Sequence, residues 1–145
     1  MKEDKNIENG TKTVEVEVEQ VVENSPVSDK LLKICRAINL YTQREITVID
    51  VSQKTVIADQ FVITTGASTM QVRSLAENVM EQLEKDEIYP IHEDGVDDGR
   101  WAVLDFGEVI VHIFMDETRL IYCLEDLWAD GKNTKVYTEE GLKIK

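Results

Sequence analysis

Cysteine, aromatic side chains and positive charge are all scarce in this chain of 145 residues, and each shortage excludes something. The two cysteines, Cys35 and Cys123, stand far apart among apolar residues at helical spacing, with no Cys-x-x-Cys pattern. That placement reads as buried free thiols rather than as a metal or redox centre. Lys and Arg number 16 against 29 Asp and Glu, a formal net charge of −13. Polyphosphate binding needs clustered cations that release counterions, so little direct contact with DNA or RNA is expected. The same field attracts a basic partner over a Debye length of roughly 8 Å at physiological salt. No apolar run approaches the roughly 20 residues of a membrane-spanning helix; the longest, Val109 to Met115, is interrupted by His112. The N-terminus has neither the basic-then-apolar order of a secretion signal nor the arginine content of a transit peptide, its first arginine being Arg36. The expectation is a cytoplasmic protein with no membrane insertion.

What is present describes one α/β (α+β) domain with an acidic preface. Residues 1–28 carry three Lys against seven Glu and Asp and no aromatic residue, too little apolar surface to offset chain ordering, so they read as a flexible N-terminal extension. Within it, Thr13-Val14-Glu15-Val16-Glu17-Val18-Glu19 alternates at period two and could pair with a sheet edge. The domain runs from 29 to 131. Ser28 can cap a helix bearing Leu31, Ile34, Cys35, Ile38 and Tyr41 on one face. Ile46–Val51 and Ile57–Thr64 read as strands. Gly66 offers an unusual backbone turn, and Ser68 with Gln71 forms a capping box for a helix with the stripe Val72, Leu75, Ala76, Val79 and Leu83. A short extended stretch at Ile88–Ile91 follows, with Pro90 marking an edge. Then come an acidic loop and a hairpin over Trp101–Phe106 and Glu108–Met115. A last helix is capped by Asp116, carries Leu120, Leu124, Leu127 and Trp128, and stops at Asp130-Gly131. The predicted order is α-β-β-α-β-β-β-α around a mixed five-stranded sheet, with residues 132–145 as a tail or weakly docked strand.

The hairpin has two unlike faces. Ala102, Leu104, Phe106, Val109, Val111, Ile113 and Met115 are all apolar and must be core. The other face carries Trp101, Val103 and Asp105 with Glu108, Ile110, His112 and Phe114. A tight turn over Phe106-Gly107 sets Asp105 opposite Glu108, Val103 opposite Ile110 and Trp101 opposite His112. An exposed aromatic and aliphatic cluster with an acidic rim is a sign of protein docking; burial under a helix is the alternative.

Three separated stretches, Ala58-Asp59-Gln60-Phe61-Val62-Ile63-Thr64-Thr65-Gly66-Ala67-Ser68, Trp101-Ala102-Val103-Leu104-Asp105-Phe106-Gly107-Glu108-Val109-Ile110-Val111-His112 and Tyr122-Cys123-Leu124-Glu125-Asp126-Leu127-Trp128, together resemble the ribosomal silencing factor, or Iojap, family over about residues 30–130. The resemblance implies a non-catalytic translation repressor with no cofactor. Such a factor binds the large ribosomal subunit through its fourteenth protein, blocks joining of the small subunit and acts under nutrient limitation. It also implies a fold similar in outline to nucleotidyltransferases, with Trp101 and Phe106 facing the partner. The face assignment puts Phe106 on the core side instead. The partner-binding set is then Trp101, Val103, Asp105, Phe106, Glu108, Ile110 and His112, and a homodimer is an open possibility.

An enzyme is the competing reading. The Gly66-Ala67-Ser68 turn could hold phosphate at a helix N-terminus, but no Asp-x-Asp lies on a predicted strand to hold a metal, and capping accounts for Ser68. His112 has no nucleophile placed beside it. The loop Asp94-Gly95-Val96-Asp97-Asp98-Gly99 lacks the EF-hand order and reads as a solvated turn.

Overall fold

A computed structural model describes residues 28–145; the acidic extension up to residue 27, with its alternating run, lies outside the described residues. The elements are α1 (Asp29–Tyr41), β1 (Thr47–Asp50), β2 (Gln60–Gly66), α2 (Thr69–Glu84), β3 (His92–Asp94), β4 (Trp101–Asp105), β5 (Val109–Met115), α3 (Asp116–Tyr122), α4 (Leu124–Trp128), β6 (Thr134–Thr138) and β7 (Gly141–Ile144). One mixed sheet orders them β3-β4-β5-β2-β1-β6-β7. Among the described residues its single parallel pair is β2 with β5, in register from Gln60↔Val109 to Gly66↔Met115.

Among the described residues the sheet therefore has seven strands, not five. Residues 132–145 form a hairpin in which Thr47 faces Val136 and Tyr137 faces Leu142. Tyr137 and Leu142 pack against the main core, and Tyr137 donates its backbone N–H to Ile46 O at 2.9 Å. The polar composition of this stretch hid strands that need only one wetted face. At the other edge the strand lies at His92–Asp94 rather than Ile88–Ile91, because Pro90 has no N–H to give and the ladder begins where Ile91 N–H donates to Asp105 O at 2.7 Å.

Both long helices form as their caps and stripes dictate. Ser28 Oγ accepts from Leu31 N–H at 3.0 Å, and Leu31, Ile34, Cys35 and Ile38 are buried, while Tyr41 is exposed. Ser68 Oγ accepts from Gln71 N–H, Gln71 Oε1 returns to Ala67 N–H at 2.9 Å, and the whole expected stripe of α2 is buried. Gly66 does not make an unusual turn; it makes room. A Cβ there would meet Val72 Cγ2 at 3.1 Å, so strand and helix approach where only hydrogen fits.

α1 and α2 cover one face of the sheet, closing a core with Ala102, Leu104, Phe106, Val109, Val111 and Ile113. The other face buries Ile49, Phe61, Ile63, Ile110, Phe114 and Leu124 beneath the short α3 and α4. The single last helix expected there is two pieces, broken at Cys123 in the left-handed region (φ 46°). Asp116 is not its cap: Met115 holds that position without a side-chain bond, and Asp116 instead pairs with Arg44, whose guanidinium holds its carboxyl below the ordinary carboxylate value. Of the expected stripe, Leu124 is buried, Trp128 is half-buried against Phe61, and Leu120 and Leu127 face solvent at 77% and 74% exposure. Short helices cannot carry a stripe across a break.

Candidate functional site

The β4–β5 hairpin sets the geometry. Phe106 N–H donates to Val109 O at 2.9 Å, so Phe106 belongs to the ladder and Gly107-Glu108 form the turn. Gly107 has φ +98° at the first loop position, a conformation that glycine adopts without penalty, and Asp105 Oδ1 accepts its N–H at 2.8 Å. The expected register is thereby shifted by two residues: Trp101 faces Phe114, Val103 faces His112 and Asp105 faces Ile110. A shift of two keeps every side chain on its predicted face and parts Asp105 from Glu108. Glu108 turns to Lys30, whose ammonium reaches Glu108 Oε1 at 3.1 Å and Phe106 O at 2.6 Å. Hydrogen bonding from its own backbone N–H, and then from Lys30, holds the Glu108 carboxyl below its ordinary value.

Trp101 and His112 are neighbours along the diagonal rather than directly opposite. The indole Nε1–H donates to His112 Nδ1 at 3.1 Å. Because the indole can only donate, that imidazole is neutral with its proton on Nε2. His112 is 7% exposed, its Nε2 has no partner, and burial pushes its pKa down to about 4. Trp101 is half-buried, with its ring 4.9 Å from that of Phe114 and 4.8 Å from that of Tyr122. Beside it, a cleft of about 340 Å³ is lined by Asp98, Arg100, Trp101, Thr118, Ile121 and Tyr122. Asp98 and Arg100 pair at 2.8 Å, which lowers the Asp98 pKa. The acidic loop reaches this cleft because Gly95 lies against the Trp101 carbonyl, where any Cβ would fall 2.0 Å from the oxygen.

The site residues named from sequence thus part company. Trp101, Val103, Asp105 and Glu108 reach solvent; Ile110 and His112 lie beneath them. Phe106 is 0% exposed in the α1–α2 core, which settles the conflict over it: the side chain packs inward and offers no surface to a partner. Sequence reasoning missed Tyr122 and Ile121, both exposed on α3 beside the indole. The signal was present, since Tyr122 opens the third of the family-like stretches, but the periodicity of Leu120 and Leu127 pointed to a core stripe.

At the Gly66-Ala67-Ser68 turn, a groove of about 460 Å³ between Tyr41, Thr65, Met70 and Gln71 is open. The Ser68 hydroxyl and Ala67 N–H there are taken up by Gln71. Among the described residues no three His, Cys, Asp or Glu side chains gather as a metal site, and no helix is long and apolar enough to cross a membrane. The Cys35 thiol is buried and pushed up to about 12.

A sequence model of the family described as "Ribosomal silencing factor during starvation" matches residues 24–144. The chain belongs to the ribosomal silencing factor family. Ribosomal silencing factors of Bacillus subtilis and Haemophilus influenzae are 35% and 38% identical to it over 60% and 59% of this chain and 74% and 83% of theirs. The mouse protein called mitochondrial assembly of ribosomal large subunit protein 1 is 31% identical over 70% of this chain and 44% of its own. Among solved structures, a Chromobacterium violaceum protein aligns at a TM-score of 0.64 and 26% identity, over 70% of this chain and 84% of that one. The silencing factor match extends through β6 and β7, in keeping with their place in the sheet. The names in this family denote ribosome-associated regulators and no reaction.

Proposed function

We propose that this silencing factor binds the large ribosomal subunit, chiefly through the subunit's basic fourteenth protein. By occupying the surface that the small subunit needs, it represses translation under nutrient limitation. The observation that carries the reading is the half-exposed Trp101 ring beside exposed Tyr122 and Ile121, with the Asp98–Arg100 pair at the cleft and Asp105 and Glu108 farther along the same hairpin. Buried aromatic anchors with a polar rim are what protein interfaces are built around. The charge of −13 favours a basic protein over the flanking ribosomal RNA. The name of the mouse relative, which ties it to large-subunit assembly, supports the choice of subunit.

Blocking by occupancy asks for no chemistry, only residence. A dissociation constant near micromolar is worth about −8 kcal/mol, within reach of an interface of roughly 800 Å² per partner. This reading places the protein in the cytoplasm with the ribosomes it silences. The test is cosedimentation with isolated large subunits, followed by light scattering of subunit joining. Cosedimentation with dose-dependent loss of joining is expected; failure to cosediment at micromolar concentration, or binding that leaves joining intact, would overturn it.

A further inference from the structure

The sheet has two outer strands among the described residues, and they differ in chemistry. β3 carries Glu93 and Asp94 beside an acidic loop. β7 and the Lys145 that follows it carry Lys143 and Lys145 on one side and Leu142 and Ile144 on the other, with Ile144 82% exposed. Lys145 N–H is donated inward to Thr134 O. By the alternation of an antiparallel ladder, the backbone N–H and C=O groups of Leu142 and Ile144 therefore point outward, where β7 has no neighbour among the described residues.

We propose that Val14–Glu19 of the N-terminal segment adds to β7 as an eighth strand, its valines beside Leu142 and Ile144 and its glutamates beside Lys143 and Lys145. The run Val14-Glu15-Val16-Glu17-Val18-Glu19 has the two-sided character that β7 presents, apolar on one face and opposite in charge on the other. The acidic β3 edge repels the same run. Reach agrees and fixes direction. Lys30, near the start of α1, holds the β4–β5 turn, and that turn is level with the Lys145 end of β7 through the registers of β5, β2, β1 and β6. From β5 to a strand beyond β7 is five spacings, about 24 Å. Residues 20–27 span at most roughly 26–29 Å when extended. Glu19 must then lie at the Lys145 end, making the added strand parallel to β7. The existing pairs of Lys143 with Glu140 and Lys145 with Glu45 are solvent-exposed and exchangeable. The run precedes the family match, which begins at residue 24.

Amide hydrogen exchange of the full chain reads the proposal at two named positions. The Leu142 and Ile144 amides exchange roughly tenfold or more slowly than an open edge allows. The protection is lost in full-length Val16→Pro and in the charge reversal Glu15→Lys, Glu17→Lys, Glu19→Lys, and it returns when Lys143→Glu and Lys145→Glu are added to the reversal. Three outcomes would each overturn it: both amides exchanging at open-edge rates in the unaltered chain, protection indifferent to these changes, or protection that rises with protein concentration, which would mark a second copy as the occupant.

Discussion

On the α1–α2 side of the sheet, Ala102, Leu104, Phe106, Val109, Val111 and Ile113 are apolar and sealed under two long helices. On the α3–α4 side, the same two strands show Trp101, Val103, Asp105 and a buried histidine under two short helices that leave Leu120, Ile121, Tyr122 and Leu127 in solvent. One side is complete in itself and the other is not. The incomplete side holds His112, buried with one ring nitrogen unpartnered, beside aromatic surface left in solvent, and that is where the proposed partner would add what the helices do not supply.

Substitutions can break or sharpen this contrast. Phe106→Ala should be the most damaging, costing about 3–5 kcal/mol by emptying the closed core, seen as a large fall in thermal midpoint; a small fall would mean that Phe106 is not part of that core. The open side should instead reveal itself through acid. His112 binds its proton near pH 4 when folded and near 6.5 when unfolded. Between those values the unfolded state holds more protons, so stability falls as pH drops from about 6.5 to about 4, by up to roughly 3 kcal/mol, and levels off below. Denaturant midpoints of His112→Gln should lack that part of the slope, and parallel curves for variant and parent would remove His112 as its source. Trp101→Ala should weaken large-subunit binding by about 2 kcal/mol or more, with a smaller thermal shift than Phe106→Ala. The opposite ranking would put the indole with the core. Ser68→Ala should cost about 1 kcal/mol of stability and leave subunit binding unchanged, whereas lost binding with intact stability would revive a phosphate site at the Gly66-Ala67-Ser68 turn.

The parts of the fold legible in the sequence were those set by local periodicity. The caps at Ser28 and Ser68, the stripes of α1 and α2 and the two faces of the β4–β5 hairpin follow from spacing alone. What depended on distant neighbours did not. The register slipped by two because nothing near Phe106 announces its hydrogen bond to Val109 rather than a place in the turn. β6 and β7 read as a tail because their apolar content is set by Tyr137 and Leu142 meeting a core built from residues far earlier in the chain. The break at Cys123 put Leu120 outside, since a left-handed residue other than glycine carries no sequence mark. At the site, the place of Trp101 on the outer face of the hairpin was legible and that of Tyr122 beside it was not, because their contact exists only once α3 has folded.

The parallel seam between β2 and β5 has a bearing on how the chain is made. All of α2, β3 and β4 lies between these two strands in sequence, so their pairing closes a long loop and must wait for it. During synthesis, β1 and β2 can form their hairpin early, but the other edge of β2 stays unpaired until β5, at Val109–Met115, has left the exit tunnel. A nascent silencing factor thus spends its last moments on the ribosome with a strand uncovered that is buried along its whole length in the finished fold, open to chaperones and to aggregation alike.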